Sequence, residues 1–173
     1  KQKAIKPTRK WYDANYNWGN TLQKKGDLKQ AVVCYDASLA INPNDAVVLL
    51  NHGKALKSYG ETYYLSGTDL HKKGDLQSAI KNYKKTLAII PDHVDALNNL
   101  GIAFYNMGDL DLAVDNYHKA LQISAGYGPA LVNLGNALRD KGQIEVALDC
   151  FMKAEDAGDI STQLFTNTGN AFM

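Results

Sequence analysis

Ala96-Leu97-Asn98-Asn99-Leu100-Gly101, continued by Gly108-Asp109, Ala113, Tyr117 and Ala120, is the stretch on which the fold is read. Leu97, Leu100, Gly101 and Phe104 fall at helical spacing, and so do Ala113, Tyr117, Ala120 and Leu121. The stretch predicts two helices of about 14 residues, each roughly 21 Å long at 1.5 Å per residue. Gly108 separates them, because glycine accepts the left-handed backbone that ends a helix. Asp109 follows and is placed to cap the second helix by accepting backbone N–H bonds. Gly101, Ala113 and Ala120 carry little side chain, so the helices approach closely there, with Tyr117 filling the space beside them.

Outward from this stretch the pattern repeats. Gly19, Gly53, Gly67, Gly101, Gly135 and Gly169 share one local context, at spacings of 34, 14, 34, 34 and 34. Gly26, Gly60, Gly74, Gly108 and Gly142 each follow seven residues later. The second helices align through Ala31, Ala79, Ala113 and Ala147, then Tyr35, Tyr83, Tyr117 and Phe151, then Ser38, Thr86, Ala120 and Ala154. Asp27 and Asp75 stand where Asp109 does, with Glu61 and Gln143 as weaker substitutes. Pro43 and Pro91 close two of the four full units, since the residue before proline avoids the helical region.

These residues resemble the tetratricopeptide repeat, a helix–turn–helix unit of about 34 residues. The resemblance covers residues 12–173 and implies an all-α, right-handed superhelical solenoid of antiparallel helix pairs. Its repeats would be 12–45, a truncated 46–61, 62–93, 94–127, 128–161 and a half repeat 162–173, after a basic lead-in, 1–11. Departures are local. His52, Ser66 and Thr168 replace the apolar residue expected before the inner glycine, and Trp18 is oversized there. Packing at those points should be looser or rearranged.

The unit that begins at Ala46 is 20 residues short, because Gly67 follows Gly53 by 14 residues where the period is 34. After Gly60-Glu61 a second helix should follow, yet Thr62-Tyr63-Tyr64-Leu65-Ser66-Gly67 opens another first helix. The expectation is a discontinuity, with residues omitted between Glu61 and Thr62. The alternative is one continuous helix over 46–73, in which Gly60 and Gly67 each cost about 1 kcal/mol relative to alanine. At the other end, 162–173 reads as a first helix alone. Phe165 and Phe172 suit an interior element, so the natural chain is expected to continue.

Composition narrows the function. The chain has 173 residues, 19 basic and 18 acidic side chains, and a formal charge of +1. That balance makes no case for nucleic acid or for a membrane surface. No apolar run approaches the ~20 residues that span a bilayer. Cys34 and Cys150 are several repeats apart and read as buried free thiols, which fits a reducing soluble compartment such as the cytoplasm. His52, His71, His93 and His118 fall at unrelated points of the repeat, with no metal-site spacing and no Cys-x-x-Cys. No cofactor, metal or enzymatic activity is expected. Residues 1–75 carry a net +5 and residues 76–173 a net −4. Lys1, Lys3, Lys6, Arg9 and Lys10 in the lead-in are either solvated or contact an acidic partner. Head-to-tail self-association of the two halves is a further possibility.

The remaining candidate is the groove. The resemblance implies that first helices line a concave surface, with side chains on either side of the inner glycine pointing into it. One row is Asn17, Asn51, Leu65, Asn99, Asn133 and Asn167; the other is Asn20, Lys54, Thr68, Ile102, Asn136 and Asn170. A carboxamide is both donor and acceptor, so such rows can pair with the backbone of an extended peptide. The arrangement is similar to the asparagine ladder of O-linked N-acetylglucosamine transferases. The alternative is that these amides bond to neighbouring helices or to water. Tyr16, Tyr64 and Tyr105 either anchor a ligand or pack between first helices. Lys54, Lys57, His71, Lys72 and Arg139 make the groove mildly basic, against Asp13, Asp95 and Asp140. Family members that bind chaperone tails use lysine and asparagine where this chain has Tyr16/Asn20 and Tyr64/Thr68, which speaks against that ligand.

The candidate groove is therefore Asn17, Asn20, Asn51, Lys54, Tyr64, Asn98, Asn99, Asn133, Asn136, Arg139, Asn167 and Asn170. The function it suggests is non-catalytic binding of a protein or an extended peptide. The alternatives are a self-assembly scaffold, or the regulatory and substrate-selecting half of a larger enzyme such as a glycosyltransferase.

Overall fold

The computed structural model describes residues 9–158. Those residues are all-α: α1 (Arg9–Lys25), α2 (Leu28–Leu39), α3 (Ala46–Lys72), α4 (Leu76–Ile89), α5 (Val94–Asn106), α6 (Leu110–Ile123), α7 (Gly128–Asp140) and α8 (Ile144–Asp156). These are the helix pairs that the periodicity predicts, in the solenoid class that the resemblance implies. The chain divides into two compact units, Lys1–Thr62 and Tyr63–Met173. The first holds α1, α2 and the beginning of α3. The second holds the end of α3 and α4 to α8.

The turns within each pair are made mainly by backbone. Gly26, Gly74, Gly108 and Gly142 sit at φ between 78° and 84°, where a side chain would be strained. The residue after each glycine returns a hydrogen bond five residues back, as Asp109 N–H does to the Phe104 carbonyl at 3.0 Å. Asp27 and Asp75 also cap through their side chains, accepting from the N–H groups of Gln30 and Ser78. Asp109 and Gln143 make no such side-chain bond, contrary to the expectation for Asp109. The backbone closure is the same in all four turns, so a cap is an addition and not a requirement.

Within a pair, the inner glycine receives an aromatic ring. A Cβ on Gly19 would come 2.7 Å from the Tyr35 ring, on Gly67 2.8 Å from Tyr83, on Gly101 2.5 Å from Tyr117, and on Gly135 2.3 Å from Phe151. These rings are fully buried and lie beside the alanines of the second helices. In the second unit they join one continuous core that runs from Ala79 to Ala154. In the first unit Leu22, Ala31, Cys34 and Tyr35 form a separate cluster with Val48 and Ala55 of α3. Cys34 and Cys150 are buried and free, and burial pushes both thiols up.

The expected break after Gly60 is not present. α3 runs as one helix of 27 residues through Gly60, Glu61 and Thr62, the alternative that the sequence left open. No second helix follows Gly53, and a Cβ there would meet nothing within 4 Å. Leu49 is 46 % exposed, whereas Leu97 and Leu131 at the same repeat position are 6 % and 4 % exposed. Val47 and Leu50 are exposed as well. Before the inner glycines the packing differs at three of the four residues expected to disturb it, and the fourth, Thr168, lies outside the described residues. Trp18 and Ser66 are exposed, and His52 turns its Nε2 to Asp36 Oδ1 at 3.0 Å, while Leu100 and Leu134 are buried.

Candidate functional site

First helices are tied sideways by a bond that recurs at a fixed offset. Asn51 Nδ2 donates to the Tyr16 hydroxyl at 3.3 Å, Asn99 Nδ2 to the Tyr64 hydroxyl at 3.2 Å, and Asn133 Nδ2 to Asn98 Oδ1 at 2.9 Å. Each partner lies 35 residues away, one repeat plus one position. The first asparagine row therefore spends its amide N–H groups on the preceding first helix. The carbonyl oxygens of Asn51, Asn99 and Asn133 accept no bond from another described residue.

Not every candidate residue lies open. Asn98 is 5 % exposed and serves only as acceptor for Asn133, so it is a support for the groove and not part of its lining. Tyr64 packs its ring 4.6 Å from that of His93 while its hydroxyl holds Asn99. Tyr16 and Tyr64 thus act between first helices. In the first unit Asn20 is occupied from two sides, by the Tyr35 hydroxyl at 2.8 Å and by Asn51 Nδ2 at 3.1 Å. Asn17 and Lys54 are exposed. Asn167 and Asn170 lie outside the described residues.

In the second unit, α5, α6 and α7 border an open cavity of about 240 Å³ lined by Ile102, Tyr105, Asn106, Tyr117, Asn133, Asn136 and Arg139. It brings together three of the predicted residues, Asn133, Asn136 and Arg139. The Asn136 Oδ1 is buried without a hydrogen-bond partner. Ile102 belongs to the row read from sequence. The Tyr117 edge and Asn106 were not anticipated as lining. Tyr117 had a complete role as core filler, and its hydroxyl becomes relevant only because Ile102 stands where other repeats carry a polar residue.

The cavity is close to neutral. Arg139 Nη2 and Nε lie 3.2 and 3.3 Å from Asp140 Oδ1, so its charge is met on the spot. Tyr105 donates to the other oxygen of Asp140 at 2.5 Å, and that bond, with burial, raises the Tyr105 pKa. Burial alone is the main cause raising Tyr117, which stays a protonated donor at neutral pH. His71 faces Asn106 across 3.2 Å and burial lowers its pKa, so it adds a neutral ring where the sequence suggested a basic one. Asp95 accepts from the Tyr127 hydroxyl at 2.5 Å. No helix among the described residues is long and apolar enough to cross a membrane. No group of three His, Cys, Asp or Glu side chains comes together among them.

Solved structures share this architecture. MamA is 27 % identical over 82 % of this chain and 94 % of its own, with a TM-score of 0.56. YrrB, described as a tetratricopeptide-repeat protein with an unusual peptide-binding site, is 21 % identical over 88 % of this chain and 89 % of its own, with a TM-score of 0.58. The first such repeat domain of Spaghetti (RPAP3), solved with the HSP90 peptide SRMEEVD, is 16 % identical over 65 % of this chain and 89 % of its own, with a TM-score of 0.63. No curated protein matches the sequence. Family models of the tetratricopeptide repeat match residues 12–45 and 94–127, residues 128–157, and, as a TPR repeat, residues 67–108. The matches pass over 46–66, the stretch of α3 that has no second helix. Together they cover most of the chain, which belongs to the tetratricopeptide-repeat proteins.

Proposed function

We propose that the chain is a protein-interaction module that binds an extended peptide against its first helices. The observation that carries this reading is the cavity of the second unit, where Asn133, Asn136 and Arg139 converge beside Ile102 and Tyr105. Extended peptides present one N–H and one C=O per residue, and carboxamide oxygens left free by the sideways bonds are suited to accept from those N–H groups. Asn99 and Asn133 supply such oxygens in the second unit. Asn17, Asn51 and Lys54 extend the proposal to the first unit, where Asn20 is already held by Tyr35 and Asn51. The peptide ligands of YrrB and of the RPAP3 domain show what this fold can hold, and at 21 % and 16 % identity they carry no information about this chain's ligand.

The test is a selection from a displayed library of unstructured peptides, followed by titration of a selected peptide. The informative variant is Asn136→Leu, which removes an amide that makes no hydrogen bond among the described residues. It should weaken binding at least fivefold while leaving the thermal midpoint within about 2 °C, a change below ~1 kcal/mol. A library that yields no binder, or a selected peptide that ignores Asn136→Leu, overturns the groove reading.

A further inference from the structure

Tyr35 and Phe151 stand at the same place in their repeats, and one oxygen atom distinguishes them. In the first unit the Tyr35 hydroxyl lies 2.8 Å from both Asn20 Oδ1 and Gln23 Oε1, and Asn51 Nδ2 donates to Asn20 Oδ1 at 3.1 Å, so that amide oxygen is closed off from other ligands. The repeat of α7 and α8 keeps the asparagine, as Asn136, but meets it with Phe151, which has no hydroxyl to give. The repeat of α5 and α6 shows the converse. Tyr117 keeps its hydroxyl, and the place of the asparagine is taken by the alkyl chain of Ile102. Among the described residues the Tyr117 hydroxyl makes no hydrogen bond and neither end of the Asn136 amide does. Both side chains line the same cavity.

A donor hydroxyl without its acceptor and a carboxamide without its donor therefore share one pocket. A buried carboxamide oxygen without a donor is costly, and a ligand that pairs it recovers that cost. The Asn136 Oδ1 is buried as it stands. With no bond holding either end, a half-turn about the last side-chain torsion, which is broad and two-fold, brings the oxygen to the cavity. We propose that this pocket binds a neutral amide group of the partner, its carbonyl accepting from Tyr117 and its N–H donating to Asn136. The proposal rests on the reading of this face as a peptide-binding surface and names the chemistry it selects. A carboxylate fits poorly, because it brings no proton for Asn136 and the Arg139 charge is already met by Asp140. An alkyl group leaves both polar atoms unpaired.

The experiment follows the Asn136 side-chain amide signals by NMR in the full-length chain, with three small probes. Propionamide represents an asparagine or glutamine side chain, N-methylacetamide a main-chain amide, and propionate the isosteric acid. At least one amide should shift the Asn136 signals saturably, with propionate at least tenfold weaker, and the stronger of the two amides identifies the source. Phe151→Tyr should abolish the response without lowering the melting temperature, because the new hydroxyl stands where that of Tyr35 does. Ile102→Asn should do the same from the other side, by giving Tyr117 an acceptor. Equal response to amides and propionate overturns the proposal. So does an unaltered response in both variants, or silence towards both amides. If a selected peptide still binds while the amides are silent, the pocket proposal falls and the groove reading stands. If the library yields no binder, the groove reading falls first.

Discussion

Gly53 and Gly101 hold the same place in the repeat and have different work in the molecule. A Cβ on Gly101 would press 2.5 Å from the Tyr117 ring, whereas a Cβ on Gly53 would meet nothing within 4 Å. The leucines four residues before them diverge in the same way, Leu97 buried and Leu49 half exposed. The difference has one cause. Leu110–Ile123 folds back on α5, while α3 continues past Gly60 and sends no helix back across Gly53. A repeat position thus acquires its physical meaning from the helix packed on it, and the short unit of α3 retains the pattern without the packing.

Three measurements press on this contrast. The largest effect is expected at the leucines. Leu97→Ala should lower stability by about 2–5 kcal/mol, through lost burial and the cavity left behind. Leu49→Ala should stay within about 0.5 kcal/mol, as at other exposed sites. Urea unfolding followed by circular dichroism reads both, and a large loss at Leu49 would mean that something covers that face in solution.

The glycines come next, and there the sign should reverse. Gly101→Ala has to displace a buried ring, an overpacking cost of about 1–3 kcal/mol. Gly53→Ala gains the helix preference of alanine, about 0.5–1 kcal/mol, with no ring in the way. If both substitutions stabilise, Tyr117 is less firmly held than its burial indicates.

The smallest contrast concerns the sideways bonds. Asn133→Ala strips the buried Asn98 oxygen of its donor and should cost about 1–3 kcal/mol. Asn99→Ala removes one donor from the half-buried Tyr64 hydroxyl and should cost about 1 kcal/mol or less. Equal midpoints for the two variants would show that Asn98 finds another donor. The same bonds make the double variant Asn99→Ala with Asn133→Ala a poor probe of ligand contact, since it perturbs the frame as well as the groove.

The helix pairs were legible in the sequence because each depends on local chemistry. Gly108 marks a turn that only a left-handed residue makes cheaply, and Gly101, Ala113 and Tyr117 are matched in size at helical spacing. The groove was partly legible. Asn133 and Asn136 were selected by their rows and Arg139 by its charge, and they do meet in one cavity. Asn98, named among the candidates beside Asn99, proves to be buried support. The sideways bonds escaped because their offset of 35 residues exceeds the repeat by one, a shift set by how neighbouring helices lie against each other.

What the sequence determined by itself was the repeat, its turns and the pairing of small residues with aromatic ones, all of which rest on backbone strain and side-chain volume. The tertiary structure decided which polar atoms remain unspent. Asn20 and Asn136 are the same residue at the same repeat position, one satisfied and the other not. Asn20 is met by the hydroxyl of a ring fifteen residues away, on the facing helix, and by the amide of Asn51. Hydrogen bonding is saturable and directional, so availability for a ligand is a property of the packed neighbours and not of the residue type.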